Sequence, residues 1–358
     1  MKEFRIGPNE AGQRLDKFLG KYLRSASTGF LYKMLRKKNI TVNDRKQSGA
    51  EKLSEGDIVR FWFSDESFAK LQGSVEARRA CVLPPVSSDF RRNILYEDEG
   101  ILILDKPAGM LSQKAAAGDI SANELLLAYL MEQGSVTEES LRSFRPAIAN
   151  RLDRNTSGLL LAGKTLPALQ TLSACLRERS VEKYYLACVK GRMRKAQEVR
   201  AFLSKNSATN QATVRSVPEG PEDRAIRTAF VPLAEAEDCT LLLIHLITGR
   251  THQIRAQLSA LGHPLLGDPK YGDTALNRRI AAEHGIRRQL LHAYILRFPR
   301  CAGVLAGLSG KTLRSPWPED FKSVFPETEF HLKEVTLGNL ENKRAPGLRS
   351  RGASESLK

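Results

Sequence analysis

The sequence predicts an α+β protein in two parts, and three observations carry that expectation. Strand-like and helix-like patterns follow one another in an irregular order, without the repeated strand-helix alternation of a doubly wound sheet. The stretch 64–92 loses periodicity and gains Ser and Pro, including Pro84-Pro85 and Ser87-Ser88, so it reads as a linker between a unit at 1–63 and a larger one at 93–336. A chain of 358 residues can bury sizeable cores without disulfide or metal staples.

The first unit holds 14 Lys+Arg against 7 Asp+Glu, so much of the positive charge sits on a small piece. Arg14 to Leu19 and Phe30 to Arg36 repeat apolar residues at helical spacing with basic residues on the other face. Ile40 to Asp44 and Asp57 to Phe61 alternate like short strands, with turn residues at Asn43-Asp44 and Glu55-Gly56-Asp57. The pattern is helix, helix, hairpin, with a basic face.

In the second unit, Ile94 to Tyr96 and Ile101 to Leu104 are strand-like runs across an acidic turn, and Ala122 to Gln133 is a helix. Further strands are expected at Leu159 to Ala162, Tyr184 to Val189, Phe230 to Leu233, Leu241 to Ile247 and Ile295 to Phe298. Helices are expected near Leu166 to Glu178 and Thr251 to Leu261. Residues 337–358 are polar and basic, with Pro346 and Gly347, and read as a disordered tail.

Composition narrows the function. A formal charge of +16 points to a polyanionic partner, nucleic acid first. The longest apolar runs, such as Leu241 to Leu246, fall far short of a spanning helix, and the N-terminal Met-Lys-Glu-Phe-Arg-Ile is no apolar signal segment. No membrane association is expected. Five cysteines, at 81, 175, 188, 239 and 301, form no Cys-x-x-Cys pair and read as free thiols in a reducing cytoplasm. The six histidines make no metal-ligating pattern, and there is no Walker loop or Gly-x-Gly-x-x-Gly, so neither metal nor cofactor is expected.

The most informative segment is 150–164, Asn-Arg-Leu-Asp-Arg-Asn-Thr-Ser-Gly-Leu-Leu-Leu-Ala-Gly-Lys. One acid, Asp153, lies between Arg151 and Arg154, before a Thr156-Ser157-Gly158 turn and a short apolar run that reads as a buried strand. Asp153 would then sit on a loop at the mouth of a core strand. Taken alone, the segment reads more readily as an ion-paired loop carboxylate than as a catalytic one.

Four segments together favour a specific reading. Tyr96 to Ser112 (Tyr-Glu-Asp, then Leu-Asp-Lys-Pro-Ala-Gly-Met-Leu-Ser), Arg151 to Leu161, Glu182 to Gly191 and Ile247 to Gly272 resemble, in order, the signatures of the RluA family of pseudouridine synthases. The first unit resembles the S4-like RNA-binding domain many members carry, and the pair is most similar to the RluC and RluD branch. The resemblance implies a mixed, largely antiparallel sheet around a central cleft and isomerisation of uridines in large-subunit (23S) ribosomal RNA or pre-ribosomal particles. It also implies a cytoplasmic monomer. Synthases acting on tRNA, or a binding factor on the same scaffold, are the alternatives; pure binding would not require an intact catalytic set.

Carried over residue by residue, the resemblance makes Asp153 the catalytic aspartate and Tyr185 the active-site tyrosine. Neighbouring strand residues face opposite ways, so only one of Tyr184 and Tyr185 can line the pocket. In Thr248-Gly249-Arg250-Thr251-His252-Gln253-Ile254-Arg255, Thr251 suits a helix N-cap, and Arg255 is expected to pair with Asp153 through the planar guanidinium fork. Arg151 is expected to fill the gap left by an extruded base, Arg154 to contact RNA, and Arg250 and His252 to contact RNA or brace the loop. Arg36, Lys37 and Lys38 are expected to do so from the first unit. Gly267 to Gly272 reads as a structural turn cluster. Many members have His immediately before the Arg-Leu-Asp; Asn150 stands there and is expected to brace the loop.

Overall fold

The computed structural model describes residues 1–72, 83–116, 118–138, 140–206, 211–236 and 238–326. The expected tail at 337–358, the middle of the expected linker and Cys81 lie outside the described residues.

The first unit contains β1 (Lys2–Arg5), α1 (Leu15–Tyr22), α2 (Thr28–Arg36), β2 (Ile40–Val42), β3 (Ile58–Phe61) and α3 (Asp65–Gln72). The strands form an antiparallel sheet in the order β1-β3-β2. Helix α2 starts where the Ser27 hydroxyl accepts the Phe30 N–H at 3.3 Å, an N-cap that satisfies an otherwise orphaned donor. Leu15, Phe18, Leu19, Leu31, Leu35 and Phe61 share one core with Phe68 of α3. The expected linker therefore needs correcting at both ends. Residues 65–72 close the first core through Phe68, and α4 (Ser88–Arg92) buries Phe90 in the core of the second unit. Each helix is anchored by one aromatic, too little to show as periodicity.

The second unit continues with β4 (Ile94–Glu97), β5 (Ile101–Lys106), α5 (Ala122–Glu132), β6 (Ala147–Ile148), β7 (Ser157–Gly163), α6 (Leu166–Glu178) and β8 (Glu182–Lys190). After these come β9 (Gln197–Asn206), β10 (Gln211–Arg215), β11 (Arg224–Ala236), β12 (Cys239–Leu246), α7 (Gln253–Ala260), α8 (Thr274–His284), β13 (Leu291–Arg297), β14 (Thr312–Arg314) and α9 (Glu319–Lys322). Eleven strands make one mixed sheet along the path β10-β9-β11-β12-β8-β13-β7-β5-β4, with β14 beside β13 and β6 beside β7. Every pairing is antiparallel except that of β13 with β7.

That one parallel seam explains a glycine. Ser157 and Gly158, expected in a turn, begin β7, where Gly158 adopts φ 107° and a Cβ would stand 2.2 Å from the Ala293 carbonyl oxygen. Only glycine permits both the backbone angle and the approach. Across the seam the Ser157 hydroxyl meets His292 Nδ1 at 2.9 Å.

The sheet carries apolar packing on both faces, and β8 shows how: Tyr185, Ala187 and Val189 enter one core while Tyr184, Leu186 and Cys188 enter the other. Cys175, Cys188, Cys239 and Cys301 are free thiols. Among the described residues no helix is long and apolar enough to cross a membrane.

Candidate active site

Residues 151–156 cross the mouth of a cleft of about 1090 Å³ that is also lined by Tyr185, Thr248 to Arg255, Lys183 and Gln289. Their path is held on two sides. On one, the Asn150 side-chain oxygen accepts the Leu161 N–H at 2.7 Å, tying the loop to β7. On the other, the Ser112 hydroxyl donates to the Leu152 carbonyl at 2.8 Å and accepts the Leu152 N–H at 3.0 Å.

Lys106 completes the brace. Its fully buried ammonium donates to the carbonyls of Pro107, Met110 and Arg154 at 2.9, 2.8 and 3.0 Å, one acceptor for each proton. Burial pulls this amine down to about 7, and the Arg288 charge pulls the same way, against the charges of Asp153 and Asp105. The Gly109 N–H donates to the Arg154 carbonyl (2.9 Å) and the Arg154 side-chain Nε donates to the Gly109 carbonyl (3.1 Å), which closes the same junction. The Asp153 backbone is thereby fixed while its side chain, 25% exposed, reaches the cleft.

Arg255 meets that carboxylate from α7: its Nη1 donates to Asp153 Oδ2 at 2.8 Å. The rest of the guanidinium is held by Asp268, with Nε to Oδ2 at 2.7 Å and Nη2 to Oδ1 at 2.9 Å. Asp268 is 0% exposed, and its Oδ1 also accepts the N–H groups of Lys270 (2.8 Å) and Tyr271 (3.1 Å). Burial alone would raise the Asp268 carboxyl, but the hydrogen bonds and charge of Arg255 and the two backbone donors outweigh it and hold the group below the usual carboxylate range. Asp268 thus fixes the fork by two of its nitrogens and leaves the third for Asp153.

The segment expected to be a mainly structural turn is therefore part of the site. Gly267, at φ 72°, makes it possible, since a Cβ there would lie 2.1 Å from the Arg288 carbonyl. Tyr271 adds its ring face 5.1 Å from the Arg255 guanidinium carbon, and its hydroxyl meets His252 Nδ1 at 2.9 Å. Two signals pointed here without being sufficient: the Gly-flanked acid and the Tyr three residues on.

Tyr185 is the tyrosine on the cleft side of β8. Its hydroxyl is pushed upward by burial and, second, by the charge of Asp153. Tyr184 faces the opposite core, stacks on His245 at 4.7 Å and donates to Glu182 at 3.1 Å.

His252 Nε2 lies 3.8 Å from Asp153 Oδ2. Burial holds the imidazole below its ordinary value against the pull of Asp153, with Arg255 and Lys270 adding to the lowering. His252 also corrects the expected cap: α7 begins at Gln253 after a left-handed His252 (φ 56°), not at a Thr251 cap. The Gln253 side chain instead ties the preceding loop to the helix start, accepting the Arg250 N–H at 3.0 Å and the Thr248 hydroxyl at 2.9 Å.

Arg151, Arg154 and Arg250 are exposed and line the cleft with His252. Arg36, Lys37 and Lys38 are exposed at the end of α2 and do not line it. Besides Asp268, sequence reasoning gives no role to Lys106 or Ser112, although both lie in the Tyr96 to Ser112 signature.

The geometry offers a carboxylate held by one arginine in a partly closed cleft with a buried phenol, an arrangement suited to proton transfer or nucleophilic attack on a bound base or sugar. Residues 100–260 match the RNA pseudouridylate synthase family. Ribosomal large subunit pseudouridine synthase C of Pasteurella multocida is 32% identical over 89% of this chain and 91% of that protein. The Escherichia coli (strain K12) protein of the same name is 34% identical over 82% of this chain and 87% of that protein. The fold is similar to that of human RNA pseudouridylate synthase domain containing 4, with a TM-score of 0.53, 20% identity and coverage of 67% of this chain and 94% of that one. On these grounds the chain belongs to the RNA pseudouridylate synthase family, in its RluA branch, and is a pseudouridine synthase.

Proposed function

We propose that this pseudouridine synthase acts on uridines of large-subunit (23S) ribosomal RNA, with Asp153, Tyr185 and Arg255 as its catalytic residues. The observation that carries the reading is the Asp153 carboxylate presented to the cleft on a braced loop, with Arg255 donating to it at 2.8 Å. The substrate follows the relatives, whose names specify the large ribosomal subunit.

The reaction breaks the bond between uracil N1 and sugar C1′, turns the base and joins C5 to C1′; C5 loses a proton and N1 ends with one, so nothing is gained or lost overall. Asp153 reaches the sugar or the ring as nucleophile or base. Arg255 offsets the hydration that this carboxylate loses when the base closes the cleft. The Tyr185 ring gives the extruded uracil a stacking platform, worth about 1–3 kcal/mol per base. Arg151 fills the gap in the RNA stack, and Arg154, Arg250 and His252 hold the strand.

The first unit is proposed as an S4-like RNA-binding domain presenting Arg36, Lys37 and Lys38, in a monomeric cytoplasmic enzyme. Removing residues 1–72 is expected to lower the slope of log affinity against log salt by about 0.7–0.9 for each phosphate that this unit neutralises in the intact protein. A salt titration of both forms on one RNA measures this; an unchanged slope would make that basic face a solvated surface.

Pseudouridine mapping of ribosomal and transfer RNA, from cells with and without the gene and after incubation with purified enzyme, tests the substrate. Modification confined to tRNA would overturn the ribosomal assignment.

A further inference from the structure

Lys183 stands on β8 two residues before Tyr185, so both side chains leave the strand on the same side and both line the cleft. Among the described residues no carboxylate lies within 4 Å of its amine and no hydrogen bond engages it, although its methylenes are half-buried. Other sequestered lysines are satisfied: Lys106 by three carbonyls, Lys164 by Glu97 at 2.6 Å and the Asp98 carbonyl at 2.7 Å.

The charge that acts on Lys183 has the same sign. Arg179, the left-handed residue that ends α6 (φ 63°), lies on the same rim, and burial together with that charge pushes the Lys183 amine below its usual range. The acid next along the strand, Glu182, is taken up by the Tyr184 hydroxyl at 3.1 Å and Arg297 at 3.6 Å. Gly249, on the cleft wall, lies beside Lys183 Nζ, where a Cβ would stand 3.7 Å away in ordinary van der Waals contact. A partly desolvated lysine beside an exposed arginine of the same sign, with no carboxylate at its amine, is unfavourable until an anion joins it.

We propose that Lys183, with Arg179 at the rim, is the subsite for a backbone phosphodiester flanking the extruded uridine, next to the Tyr185 platform that takes its base. The assignment rests on the pseudouridine synthase reading of the cleft and names the anion that the cleft wall lacks. A uridine turned out of a helix carries its phosphates with it, and a cation one strand step from the base platform fixes the nucleotide at both ends. Lys183 binds the nucleotide and touches neither of the bonds that change.

The test is a binding cycle on a synthetic stem-loop around the mapped target uridine, alongside the same RNA with one methylphosphonate, an uncharged phosphate replacement, on the 5′ or the 3′ side of that uridine. One methylphosphonate is expected to weaken wild-type binding about tenfold. Lys183→Met should lose as much on unmodified RNA and nothing further on that methylphosphonate RNA, while Lys183→Arg recovers most of the affinity. Equal weakening of wild type and Lys183→Met by both methylphosphonates would overturn the subsite, as would unchanged affinity in Lys183→Met. Lys183→Gln, with its melting temperature measured beside wild type, replaces Met if the apolar variant folds poorly. Turnover is scored in parallel: an intact binding cycle on an RNA that wild type does not isomerise would break the catalytic reading and leave the phosphate subsite standing.

Discussion

Asp153 and Asp268 sit on two sides of one guanidinium, yet the chain treats them oppositely. Asp268 is wholly buried, takes two nitrogens of Arg255 and accepts two backbone N–H groups as well. Asp153 is 25% exposed and receives a single nitrogen, at 2.8 Å. The lesson is a division of labour: one carboxylate is saturated so that it can hold the arginine still, and the other is left with unused lone pairs facing the cleft. A fully satisfied carboxylate is a poor nucleophile or base, and a free one is poorly positioned.

The sharpest test of this contrast is Asp153→Asn. It keeps volume and removes charge, and is expected to lower pseudouridine formation by about a thousandfold or more while RNA affinity and melting temperature stay near wild type. Single-turnover assays and anisotropy on the same RNA decide it; turnover within tenfold of wild type would remove Asp153 from the chemistry. Arg255→Lys comes next. A lysine cannot grip Asp268 with two nitrogens and still reach Asp153, so activity should fall roughly a hundredfold, and Arg255→Ala should fall further. Equal rates for all three proteins would show that the guanidinium does not position the acid.

Asp268→Asn should reverse the balance. Leaving the Arg255 charge buried against a neutral partner is expected to cost about 3 kcal/mol of stability, with a loss of activity nearer tenfold, read by urea unfolding and by kcat. The smallest effect concerns pH. The Asp268 carboxyl lies lower in the folded protein than in the unfolded chain, so its contribution is complete above about pH 4 and fades as pH falls through the folded value. The stability gap between wild type and Asp268→Asn should therefore be flat from pH 7 to about 4 and narrow below it. A gap that widens on acidification would assign Asp268 the wrong charge.

Much of this was legible because apolar spacing is strong where a strand or helix is buried. Helix α6 runs from Leu166 to Glu178 as its pattern indicates, and α5 and β8 differ from expectation only at their ends. Strands β9 and β10 were not foreseen, since Gln197 to Asn206 and Gln211 to Arg215 are polar strands at one margin of the sheet, with β10 as its edge, and have few buried positions. Helix α8 was missed for a related reason: Thr274 to His284 buries only Ile280. At the site, motif order singled out Asp153, Tyr185 and Arg255. It could not show that Asp268, thirteen residues after Arg255, turns back onto it, because a turn cluster states that the chain bends and not where its acid points.

The place of β13 in the sheet has a consequence for how the protein is made. Residues 291–297 lie between β8 and β7, so the centre of the sheet waits for a segment synthesised more than 100 residues after either neighbour begins. Closing such spans is slow, and until β13 arrives the facing edges of β7 and β8 are unpaired. The first unit draws its core from residues 6 to 68 and is complete as soon as those leave the ribosome. On a growing chain, one end of the molecule is therefore folded while the other still exposes open strand edges in need of protection from aggregation.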